Sequence, residues 1–263
     1  MSRTPHKSNL PTRIPSAAFS VGAVLLAWAI VSMTGSVSPL LLPSPRSVLH
    51  AAWSQATDRA LMVEFCYTAT RTLCALLVAS SAIPIGLALS QASRLRQATE
   101  PIFNGLRSVP ATALFPLVLL VLGVGEQTIV LVAAYPAMLV MIVSVLSASS
   151  HANPRRVAHA EALGLGRGAM VRHVLFWESL PSILSALRVG ASYALVLVIA
   201  LEMFIGVGNH GLGRRIYDLQ ATYQMADALV AIFAAAALGI GLNGAISMAE
   251  KRVLSWSSMD AKT

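Results

Sequence analysis

Few residues in this chain are placed to do chemistry. Glu202 is the one carboxylate lying clearly inside an apolar stretch. A carboxylate there either takes part in moving a solute or sits near a helix end and reaches the membrane interface. An ion-coupled pump or antiporter would carry more such groups. His151, His159 and His173 share one polar segment, but their spacings of 8 and 14 fit no standard metal motif. His159-Ala160-Glu161 has the H-x-E spacing of a zinc deaminase without the P-C-x-x-C that must follow. Gly190-Ala191-Ser192-Tyr193 approaches an intramembrane protease serine motif, yet lacks the next glycine and a histidine in the following apolar run. The lysines are Lys7, Lys251 and Lys262, and none ends a glycine-rich phosphate loop. Cys66 and Cys74 stand eight residues apart in one apolar stretch, about 12 Å along a helix axis and too far for a disulfide. The chain is therefore expected to hold no catalytic set, no metal and no cofactor of its own.

The elements that hold these residues follow from composition. Of 263 residues, 56% are hydrophobic and only 11% charged, with a mean hydropathy of +0.70. Soluble chains carry roughly 25% charged and 45–50% apolar residues, so a water-soluble fold could not hide this surface. The class is an all-α polytopic membrane protein. Six apolar runs approach the length that crosses a bilayer: 17–33, 69–89, 109–124, 128–146, 183–207 and 228–248. The third is short and carries Pro110 and Pro116, which break its backbone ladder. Freed carbonyls are tolerated in a membrane where they line a cavity or a protein interface, so Pro110 and Pro116 mark a candidate translocation path, with Glu202 beside them. The first run follows Arg3, Lys7 and Arg13 but exceeds a usual signal-peptide core, and is read as a retained helix. This gives an N-terminal tail over 1–16, one transmembrane domain over 17–250, and a C-terminal tail over 251–263.

Charge sets the orientation. The net charge is +8, from 19 basic and 11 acidic residues. With the N-terminus inside, the inner segments hold 14 basic residues and the outer segments only Arg46, Arg59, Arg71, Arg214 and Arg215. The positive-inside rule then predicts both termini in the cytoplasm. Arg71 and Arg188 lie near span ends and are expected to snorkel to the interface. The basic excess is an orientation signal rather than a sign of nucleic-acid binding.

The longest inner loop, 147–182, has its own pattern. Asn153-Pro154 is a helix start, an N-cap followed by proline at the first position. Val157, Ala160, Ala162 and Leu163 make a small-residue helix that Gly164, Gly166 and Gly168 stop. A second amphipathic segment begins at Ala169, and Leu180-Pro181 is expected to close it before the fifth span. A helix–turn–helix at the inner face suits docking of a partner, or is an ordinary interfacial loop.

These residues and their flanks resemble ABC importer permeases of the binding-protein-dependent type, in the nitrate/sulfonate/taurine/bicarbonate branch. The resemblance covers about 41–256. Leu42-Pro43-Ser44-Pro45 resembles the branch's turn after the first span. Ser108-Val109-Pro110 through Phe115-Pro116-Leu117 to Gly123-Val124-Gly125-Glu126 resembles its third span. Ala160-Glu161-Ala162-Leu163-Gly164 falls on the EAA-to-glycine segment, and Glu202 with Gly211-Leu212-Gly213 resembles the end of its fifth. The chain departs where the family's glutamate would fall on Ala158 and where Phe176-Trp177 replaces a Leu-Pro pair.

The resemblance implies a type I importer permease (MetI-like) fold with six transmembrane helices in a bacterial inner membrane. It implies a permease homodimer, a separate ATPase subunit holding ATP and Mg, and an extracytoplasmic solute-binding protein. It also implies that Ala160, Glu161, Ala162, Leu163 and Gly164, with Arg155, Arg156 and Arg167, meet the ATPase. The branch points to a small nitrate-, sulfonate- or taurine-like anion. The alternatives are an uncharged vitamin or pyrimidine precursor, or an ion-coupled secondary transporter.

Overall fold

Lipid offers a backbone no hydrogen-bond partners, so apolar runs of this length close their bonds internally as helices. The computed structural model describes residues 16–254 apart from 36, 57, 58, 92, 151–153 and 206–209. The regular elements among them are α-helices and one π-helical turn. They run α1 (Ser16–Met33), α2 (Pro45–Ala56), α3 (Arg59–Ser80), α4 (Ala82–Ser90), α5 (Ser93–Leu106), α6 (Ala111–Leu122) and α7 (Glu126–Ser150). There follow α8 (Pro154–Ala162), α9 (Arg167–Met170), the π turn Val171–Leu175, α10 (Phe176–Ile205), α11 (Leu212–Ala221) and α12 (Met225–Val253).

Four stretches are long and apolar enough to cross a bilayer: Arg59–Ser90, Glu126–Ser149, Gly168–Phe204 and Met225–Val253. The pair α5–α6 makes a fifth if taken as one broken span, and the shorter apolar helix Phe19–Met33 is the sixth apolar element. Each of the six runs read from the sequence coincides with one of these.

Two expectations need correction. The third run is not a straight span. With 12 residues α6 is about 18 Å long, short of the roughly 30 Å hydrocarbon layer. It meets α5 at a 91° elbow. Pro110 sits at that break in an extended conformation (φ −62°, ψ 123°); it has no N–H to donate and biases the residue before it away from the helix. Pro116, by contrast, lies inside α6 without ending it. The second correction is Leu180-Pro181, which closes nothing: α10 runs through Pro181. A proline removes one donor, and packing here outweighs that loss. Leu180 and Ile183 are buried, and the Ser179 and Ser149 hydroxyls hydrogen-bond at 3.1 Å, tying α10 to α7.

The centre of the bundle is α7, which is apolar on all sides and is the most buried of the spans. Small residues set how closely its neighbours approach: Ala75, Ala79 and Ala82 on α3 and α4, and Ala186, Ala191 and Ala194 on α10, surround Ala133, Ala134 and Ala137. A Cβ on Gly86 would press on Val145, and one on Gly190 would press on Met141 and Ala137, both at about 3.0 Å. Since α10 runs antiparallel to α7, the bundle has an upper end, where α3 and α7 begin and α10 stops, and a lower end carrying α8. On the upper side α2 packs on α12 through Val48, Ala51 and Val230, and Gln55 hydrogen-bonds Asp227 at 2.6 Å.

Candidate functional site

At the lower end, α8 stops in a Schellman turn. Gly164 takes the left-handed backbone (φ +72°), its N–H bonds the Glu161 carbonyl at 2.9 Å, and the Leu165 N–H bonds the Ala160 carbonyl at 3.1 Å. One side of the helix packs on the π turn and buries Ala160. The other side leaves Arg155, Glu161, Ala162 and Gly164 exposed, with Leu163 70% accessible. Ala160 is thus turned inward, away from the face expected to meet a partner. Arg156 bonds Glu178 at 2.6 Å, strapping α8 to the first turn of α10. The N-cap residue Asn153 and the Arg167 side chain lie outside the described residues.

Beside it, α7 and α10 part to form a cleft of about 650 Å³, lined by Ser144 and Ser147 on one wall and Ser182 and Ser185 on the other. Val140 also lines a second pocket of about 340 Å³ at the α5–α6 elbow, so the two adjoin. Val109, next to Pro110, lines that second pocket; Pro116 is exposed on α6 and lines neither. Four serines at helical spacing on two facing spans were the sequence signal for this cleft.

Glu202 lies elsewhere, in a buried charge cluster at the upper end. Its oxygens accept bonds from Thr68 (2.8 and 3.0 Å), from Arg71 (2.8 Å) and from the Gly213 N–H (2.9 Å). Arg71 is 3% exposed and does not snorkel. Its guanidinium grips Glu126 through two 2.6 Å bonds and also donates to the His210 carbonyl at 2.7 Å. The loop after α10 is held down at the same place. The Leu212 N–H bonds Thr68, the Gly211 N–H bonds Glu64, and His210 stacks on Tyr67 at 4.6 Å. This explains Gly211-Leu212-Gly213. A Cβ on Gly211 (φ +124°) would overlap the Glu202 carboxyl, and one on Gly213 would run into the Ile199 carbonyl. Glu202 neither reaches solvent nor lines the cleft; with Arg71 it pins three spans and a loop together.

Among the described residues no group of three or more His, Cys, Asp or Glu side chains could hold a metal ion.

A bundle of apolar helices around a central span, with an open cleft and an exposed helix–turn–helix at one end, has the layout of a membrane-embedded subunit. The comparisons with known proteins agree. Residues 80–255 match the family described as binding-protein-dependent transport system inner membrane component, and the chain belongs to that family. It is similar to the taurine transport system permease protein TauC of Escherichia coli K12, 28% identical over 74% of this chain and 72% of that protein. It is also similar to the nitrate import permease protein NrtB of a Synechocystis strain, 24% identical over 90% and 88%. The putative aliphatic sulfonates transport permease protein SsuC of Escherichia coli K12 is 25% identical over 89% of each chain. In fold, the chain resembles one from the methionine ABC transporter MetNI solved in inward-facing conformations, with a TM-score of 0.55 at 18% identity, covering 81% of this chain and 97% of that one. The MetI-like fold is therefore the one this sequence adopts.

Proposed function

We propose that this chain is one of a pair of identical permease subunits in an ATP-driven importer of a small anion. The observation that carries the reading is the α8 helix–turn at the foot of the α7–α10 cleft: a contact surface placed where a push can alter the cleft. In this reading the lower end is cytoplasmic, as the excess of basic residues in the inner segments predicts. A separate ATPase subunit binds ATP and Mg and meets Glu161, Ala162, Leu163 and Gly164. An extracytoplasmic binding protein delivers solute to the upper end, and the assembly sits in a bacterial inner membrane. The relatives' names refer to taurine, nitrate and aliphatic sulfonates, each with an anionic group, which supports an anion as cargo.

Gly164→Asp tests the docking role. Nothing described lies within 4 Å of a Cβ at Gly164; the left-handed backbone there strains any side chain, and Asp is among the residues that bear it best, so the fold should accept it at a small cost. Uptake of labelled taurine or nitrate in cells should fall at least tenfold, with membrane insertion unchanged and less ATPase subunit co-purifying. Normal uptake with normal ATPase retention would remove α8 from the coupling role. Uptake that needs only an ion gradient, with no ATPase subunit present, would overturn the importer reading.

A further inference from the structure

Arg107 is the cation that the sequence places wrongly. Counted with the inner segments, it belongs to the lower end; the elbow carries it up into the span. The Tyr135 hydroxyl donates to the Leu106 carbonyl at 2.9 Å, which fixes the elbow's height. Tyr135 lies nine residues into the 25-residue α7, about 14 Å from its upper end. Tyr193, which lines the same pocket, lies 12 residues from the end of α10, about 18 Å down. Arg107 therefore sits near mid-span.

Its guanidinium is exposed and has neither an ion pair nor a hydrogen bond among the described residues. Arg71 shows how this chain treats an arginine it needs only for structure: four donor bonds and two carboxylates. An arginine facing lipid at mid-depth is costly, and such residues face a bundle interior or a water-filled cavity instead. Arg107 shares its pocket of about 340 Å³ with Asn104, Ser108 and Tyr193, all able to donate a hydrogen bond, and with Tyr135, whose hydroxyl is committed to Leu106; no carboxylate lines it. That volume is within the range of small-molecule sites. Through Val140 the pocket adjoins the serine-lined cleft.

We propose that Arg107, at the α5–α6 elbow, is a mid-span anion-binding residue of the translocation path. It takes the charged head of a small sulfonate- or nitrate-type anion, with Asn104, Ser108, Tyr135 and Tyr193 around it. The proposal rests on the permease reading above and names the residue that makes the route selective for negative charge. The planar guanidinium fork matches two oxygens of such a head group. One cation without a second suits transit, since a passing ion must be held firmly enough to enter and weakly enough to leave.

The test uses the whole transporter, permease with its ATPase and binding protein, in liposomes supplied with labelled nitrate and labelled taurine. Arg107→Gln should lower uptake of the carried anion at least tenfold while ATPase retention and binding-protein-stimulated ATP hydrolysis persist, and Arg107→Lys, which keeps the charge without the fork, should restore part of it. A second measurement does not depend on turnover. With Cys66 and Cys74 changed to serine, Ser108→Cys should react with a water-soluble thiol reagent at a rate the carried anion slows at least threefold, and adding Arg107→Gln should abolish the slowing. Where the Gln variant fails to accumulate, the Lys variant and the labelling decide. Undiminished uptake in Arg107→Gln, or labelling at Ser108→Cys that the anion leaves unchanged, overturns the proposal and leaves the permease reading intact. A wild-type complex that carries neither nitrate nor taurine overturns the anion reading itself.

Discussion

The two ends of this molecule handle charge in opposite ways. At the upper end Arg71, Glu126 and Glu202 come from three different spans and meet in one cluster, with Thr68 and the backbone of 210–213 supplying the remaining bonds. At the lower end the charges of α8 are exposed, and Arg156 reaches from that surface to the partly buried Glu178. Glu126 is half exposed, but Arg71 and Glu202 are buried, and a buried charge is costly unless its hydrogen bonds are met, so the Arg71–Glu202 pair is held in one arrangement. A pair open to water on one side has alternatives, so the lower end can re-pair when a partner arrives. Fixed geometry at one end and an available surface at the other is the division that the proposed ATPase coupling would need.

Three substitutions test how far the two ends differ. Arg71→Met should have the largest effect, since it leaves Glu202 buried without its cation: a loss of about 3–5 kcal/mol, read as a large drop in Tm of the detergent-purified complex or failure to accumulate. Gly213→Ala comes next. Its methyl meets the Ile199 carbonyl, and forcing that contact should cost about 1–3 kcal/mol in the same measurement. Arg156→Ala should be smallest, under about 1 kcal/mol, because the arginine it removes is half exposed; its effect should appear in ATPase-coupled uptake instead. An Arg71→Met protein as stable as wild type, or an Arg156→Ala protein that unfolds, would reverse the assignment of rigid and adaptable ends.

Much of the fold was legible in the sequence because long apolar runs leave a chain in lipid little choice. The α8 turn was legible too, from Gly164 and the small residues before it. The elbow was not. Residues 109–124 read as one apolar run, while α5 is amphipathic and reads as a loop, so nothing local says that the two form one bent span. The depth proposed for Arg107 was hidden for the same reason. The charge cluster was hidden by distance: Arg71 pairs with residues 55 and 131 positions away. A lone arginine at the edge of an apolar run and the Gly-Leu-Gly after Glu202 were its only marks. The inward turn of Ala160 was likewise beyond a reading that saw the helix but not what it packs against.

The fifth span carries a mechanical consequence. The helical stretch Gly168–Phe204 counts 37 residues, about 56 Å end to end. The hydrocarbon layer is roughly 30 Å, so close to half of this rod stands outside it. Its foot is strapped to α8 by Arg156, and near its head Glu202 is anchored by Arg71. With its head held by Arg71, such a rod is a lever whose fulcrum lies at the anchored end. A 10° tilt about that end displaces the foot by about 10 Å, enough to widen or shut the cleft along its flank.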